Sequence, residues 1–129
     1  MPLIWTCSLT GIVGSIITFA FGNWVESLTV LVVAMGLDYV SGVAASIKEG
    51  KGLNSAFGAW GLARKGLMLL VILLAHRVDI LLETSNVTMG AAIYFYIANE
   101  LISITENYGR MGLPLPEKIR KLIAVLKEK

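Results

Sequence analysis

Charge is what this sequence has least of. Only 16% of its 129 residues are Asp, Glu, Lys or Arg, against 56% hydrophobic residues and a mean hydropathy of +0.74. So few charges cannot cover the apolar surface of a soluble domain this small. Cysteine is nearly absent as well: Cys7 stands alone, which excludes an internal disulfide and any thiolate-based metal cluster. Period-two alternation is missing, and that excludes a transmembrane barrel, because the apolar runs are continuous. Backbone in lipid must satisfy its own hydrogen bonds, so helices remain. No nucleophile stands beside a base, no metal-ligand spacing occurs and no phosphate loop is present, so no catalytic residue, metal or cofactor is expected. A net charge of +2 is too small to imply nucleic acid as a partner.

What is present reads as an all-α integral membrane protein of a single domain, residues 1–129. Residues 3–22 carry no charge and match the length of a helix crossing the ~30 Å hydrocarbon core. With no basic segment before it and no clear small-x-small cleavage site after it, this stretch reads as a retained span rather than a signal peptide. Gly11, Gly14 and Ser15 offer one small side to a neighbouring helix. After a short turn at Asn23, Trp24 and Glu26, residues 27–47 form a second span with Asp38 at its middle. Here Ser41, Gly42, Ala45 and Ser46 make overlapping small-xxx-small pairs suited to close helix packing.

Residues 48–65 are a polar connection carrying Lys48, Lys51, Arg64 and Lys65 against Glu49. Asn54 or Ser55 is placed to cap a short interfacial helix bearing Phe57 and Trp60. Residues 66–82 and 88–107 give two further spans, joined by the turn from Glu83 to Val87. The expectation is therefore about four transmembrane helices, or three if the first segment is peripheral. Beyond Gly112 and Pro114, residues 116–128 read as an amphipathic surface helix, with Ile119, Leu122, Ile123 and Leu126 on one face. Membrane lipids are its expected partners.

With four spans, the amino terminus, the connection and the tail share one side. That side collects Lys48, Lys51, Arg64, Lys65, Arg110, Lys118, Arg120, Lys121, Lys127 and Lys129, whereas the two short turns hold no Lys or Arg. By the positive-inside rule both termini are expected in the cytoplasm of a bacterial cytoplasmic membrane protein.

Asp38, His76, Arg77, Asp79 and Glu100 fall inside apolar spans, with Ser103 on the same face as Glu100. A charge at a helix centre costs about 2.5–3.5 kcal/mol on the insertion scale, so such groups must pair, neutralise or face water. Counted at 1.5 Å per residue from the expected ends, Asp38 lies ~14 Å deep, His76 and Arg77 lie ~15–17 Å deep, and Glu100 lies ~9 Å deep. The matching depths predict a contact of Asp38 with Arg77 or His76, within one subunit or between neighbours. Arg64 or Lys65 can snorkel to the shallower Glu100. The polar groups are read as glue between helices, as the lining of an aqueous path formed when subunits associate, or as a proton relay, since His and carboxylates at membrane depth are what such relays use.

Several stretches together resemble the toxin-secretion and phage-lysis holin family of Gram-positive bacteria and their phages. They are Asp38-Tyr39-Val40-Ser41-Gly42, the connection from Lys48 to Ser55 with Gly58, Gly61, Arg64 and Lys65, the closing Asn99-Glu100 to Glu106-Asn107, and Gly112 to Pro116. The ordered set covers roughly residues 28–127. The resemblance implies a homo-oligomer that opens lesions in the host membrane and releases an endolysin or a toxin. It carries no catalytic residues. A small proton-coupled transporter is the alternative from another class, with the scatter of the charged groups over three helices against it. An antiholin that dilutes active oligomers is the third.

Overall fold

The computed structural model describes residues 2–51 and 55–127, with side chains from 55 to 57 and from 126 onward excepted. Five helices follow one another: α1 (Leu3–Phe21), α2 (Glu26–Lys48), α3 (Ser55–Leu82), α4 (Val87–Met111) and α5 (Glu117–Lys127). By length and composition α1, α2 and α4 are each long and apolar enough to cross a membrane. The stretch 66–82 expected as a further span is the second half of α3. The short interfacial helix expected before it is not separate, because α3 runs unbroken through both for 28 residues. At 1.5 Å per residue that is ~42 Å, longer than a hydrocarbon core. Asn54, one of the two expected caps, lies outside the described residues, as does the side chain of Phe57.

Helix ends follow local chemistry. Gly22 closes α1 at φ +70°, a backbone state open to glycine. Gly112 closes α4 in the left-handed conformation, while the Leu113 amide reaches back to the Tyr108 carbonyl, a Schellman ending that Pro114 prevents from extending. The Arg120 amide donates to the Pro116 carbonyl at the start of α5.

α2 packs most extensively on α4, and α4 also contacts α3 and α5. The apolar core lies at the end of the bundle nearest the two short turns. Leu28, Leu31 and Met35 of α2 meet Ile72 and Ala75 of α3, and Met89 and Ile93 of α4. Spacings of three, four and seven place each set on one helix face. α1 contacts only α3 among the described residues. It buries just Ala20 and exposes Leu9, Ile12 and Ile16. Among the described residues no neighbour approaches Gly11 or Gly14, so the small side expected to pack meets nothing within one chain. In α5, Ile123 is buried, while Ile119, Leu122 and Val125 stay exposed.

Candidate functional site: a buried carboxylate and lysine cluster

The opposite end of the bundle is polar inside. On α2, Asp38, Ser41 and Ala45 face inward and are buried. On α4, Glu100, Ile104 and Asn107 are buried at spacings of four and three, with Ser103 beside them. Between these helices comes Lys65 of α3, also buried. Its Nζ lies 2.8 Å from Asp38 Oδ2 and donates to both Glu100 oxygens, at 2.9 and 3.0 Å. Ser103 donates its hydroxyl to Asp38 Oδ1 at 2.6 Å. The Asn107 amide nitrogen reaches the same oxygen at 2.8 Å, the Asp38 carbonyl at 3.0 Å and the Ser41 hydroxyl at 3.0 Å. Three helices are thus tied through one ammonium and one carboxylate.

The small residues of α2 permit this. A Cβ on Gly42 would meet Asn107 Nδ2 at 3.5 Å, Ser41 joins the network, and Ala45 is fully buried. Ser46 accepts a bond from Arg110 at 3.4 Å. On the other flank, the Tyr39 ring lies over Gly61, and its hydroxyl would sit 3.0 Å from a Cβ on Gly58. A cavity of about 520 Å³ opens beside the cluster, lined by Asp38, Tyr39, Arg64, Lys65, Glu106 and Asn107 among others. At its mouth Arg110 grips Glu49 at 2.7 and 3.2 Å, and Lys48 caps the end of α4 by donating to the Met111 carbonyl. Hydrogen bonding from Arg110 holds the Glu49 carboxyl below the usual glutamate range, aided by the charges of Arg110 and Lys51.

The expected polar positions separate into two groups. Asp38, Glu100 and Ser103 come together; His76, Arg77 and Asp79 do not join them. Within the chain Asp38 pairs with Lys65 rather than with Arg77 or His76. The reason is where α3 begins: Lys65 stands ten residues inside a helix that starts at Ser55, and Asp38 stands ten residues from the Lys48 end of α2. The two are therefore level, each ~15 Å from its helix end. The depth estimate took the helix to start at 66 and left Lys65 at its edge. A signal was present, since Lys65, Ile72, Ala75, His76 and Asp79 form one buried stripe at helical spacing. Asn107, seven residues after Glu100 and so on the same helix face, is as central to the network as Ser103.

The other three serve the opposite end. Arg77 reaches the Phe19 carbonyl at 3.4 Å and stacks 4.4 Å from the Phe19 ring. The His76 ring packs on Gly22, and its buried Nδ1 has no hydrogen-bond partner among the described residues. Asp79 caps α4 from a distance: it accepts from the Thr88 and Met89 amides at 3.0 and 2.8 Å and from the Thr84 hydroxyl at 2.6 Å. It does the work that the cap residue Asn86 leaves undone with its own side chain.

Fold and site together define a small, all-helical membrane protein with a buried ionic cluster joining three helices. A family model described as the bacteriophage holin family matches residues 15–128, and the chain belongs to that family. The match begins inside α1, earlier than the motifs alone indicate. An uncharacterised protein of Listeria monocytogenes is 42% identical, over 90% of this chain and 82% of that protein. An uncharacterised 14.9 kDa protein from the nagH 3' region of Clostridium perfringens is also 42% identical, over 90% of this chain and 88% of that protein. A protein of Bacillus phage phi105 named as a probable holin is 34% identical, over 84% of this chain and 78% of its own length. No solved structure matches.

Proposed function

We propose that this protein is a working holin: a non-enzymatic homo-oligomer in the bacterial cytoplasmic membrane whose lesions release an endolysin or a secreted toxin. Family membership over residues 15–128 carries the reading, together with the phage relative named as a probable holin. In it, α1 to α4 cross the bilayer, both termini lie in the cytoplasm and α5 rests on the inner leaflet. The exposed apolar sides of α1 and α3 then face lipid or other subunits. The physical logic is concealment. Polar side chains too costly to expose to lipid are hidden within each bundle, and they become available to line water when enough subunits meet.

One observation favours a second reading. Asp38, Lys65 and Glu100, scattered in sequence, form one site, as a proton-coupled transporter would require. Induction in a bacterium separates the two. Growth, membrane potential and release of a co-expressed cytoplasmic hydrolase are followed together; abrupt arrest with hydrolase release is expected. Intact potential with export of a small cation would replace the holin reading by the transporter. Harmless induction that delays lysis by a related holin would replace it by an antiholin.

A further inference from the structure

Two carboxylates share one ammonium in the buried cluster. Lys65 is within 3.0 Å of Asp38 and of both oxygens of Glu100. Glu100 is only 2% exposed, so water does not balance its charge. With both acids ionised the trio carries a net charge of minus one, which is costly to bury. The surroundings do not supply the missing cation. Arg110 is committed to Glu49, and Lys51 stands by the same carboxylate. Arg64 lines the cavity, but so does Glu106, and no ion pair joins Arg64 to either buried acid among the described residues. Tyr39 lies over the glycines of α3. His76, Arg77 and Asp79 are engaged at the far end of the bundle.

One proton restores neutrality, and the hydrogen bonds say where it belongs. Asp38 is loaded with donors, receiving Lys65 on one oxygen and both Ser103 and Asn107 on the other. Such a carboxylate is held ionised. Among the described residues Glu100 has a single donor, the ammonium it shares.

We infer that the Asp38, Lys65 and Glu100 cluster is a buried proton-binding site, with the proton resident on Glu100 while the bundle is closed. Release breaks the Glu100 O–H bond, leaves its electron pair on the carboxylate and sends the proton to water through the cavity that Asp38 and Lys65 line. Both acids then compete for Lys65, and the hold of α4 on α2 and α3 weakens. This inference does not depend on lesion formation.

The full chain in lipid nanodiscs, with its glutamate carboxyls isotope-labelled, tests it by infrared spectroscopy at neutral pH. A protonated glutamate carboxyl band is expected in the native protein. It is lost in Glu100→Gln, an isosteric stand-in for the neutral acid, and retained in Arg64→Gln. Asp38→Asn also abolishes it, because Lys65 then balances Glu100 alone. Absence of the band in the native protein, or its survival in Glu100→Gln, overturns the inference; neither reading requires Asp38→Asn to fold.

Discussion

Asp79 and Asp38 are both buried acids on apolar helices, and they are satisfied in different ways. Asp79 takes its hydrogen bonds from Thr84, Thr88 and Met89, all within ten residues across one turn. Asp38 takes its side-chain bonds from Lys65, Ser103 and Asn107, 27 to 69 residues away on two other helices. The first arrangement needs only its own helical hairpin. The second exists only when three helices are assembled, so its loss should be felt by the whole bundle.

The sharpest test of that contrast is Lys65→Met. It leaves the Asp38 carboxylate without its cation and takes from Glu100 the ammonium it shares, and breaking a buried pair in this way costs about 3–5 kcal/mol. Unfolding in detergent micelles should fall by that much, with α2, α3 and α4 lost together. Adding Asp38→Asn and Glu100→Gln to the same chain removes the stranded charge and the unpartnered acid and should recover most of it. The contrast fails if Lys65→Met costs no more than a change at Asp79.

Next in size is Gly22→Ala, at the apolar end. The backbone there has φ +70° and ψ −149°, a region essentially closed to other residues, and the new Cβ would stand 2.8 Å from His76 Cε1. Strain of about 1–3 kcal/mol is expected. It should loosen α1 from α3, read as faster proteolysis within α1, with the ionic cluster intact. A second change, His76→Ala, relieves the clash but not the dihedral strain, so recovery should be partial.

Asp79→Ala should cost about 1–2 kcal/mol, the range for losing a helix cap. Its signature is position rather than size: amide exchange should rise at Thr88 and Met89 and stay low at Asn107. Spread of the effect into the far end of α4 would erase the distinction between the two acids.

How much of this was legible beforehand follows the same division. The helices read directly from continuous apolar runs, and the packing face of α2 from Ser41, Gly42, Ala45 and Ser46. The unbroken α3 did not, because Lys48, Lys51, Arg64 and Lys65 mark a polar connection, and charge density alone does not distinguish a separate short interfacial helix from the outer turns of one long helix. That single boundary moved Lys65 from the membrane edge to the level of Asp38. The role of Asp79 was missed for another reason. Its partners are mainly backbone amides, which carry no residue-type signal, and its distance from the helix it caps lies outside the usual spacing of a cap.

The smallest effect belongs to the rim, where Glu49 is tied to Arg110 and Lys51. This pair is neither a local cap nor a buried link, and it asks whether the outer charges help to hold α2 against α4. Arg110 keeps the Glu49 carboxyl below its ordinary 4.5. A group depressed on folding stabilises the folded state above its unfolded value and loses that contribution as pH falls through the folded one. The thermal midpoint should therefore drop slightly with acidification below the ordinary glutamate range, and Glu49→Gln should remove that part of the slope. Because the pair is largely exposed, salt should mute it. A slope in Glu49→Gln equal to that of the native chain would assign the acid sensitivity elsewhere and leave the rim without a part in holding the two helices together.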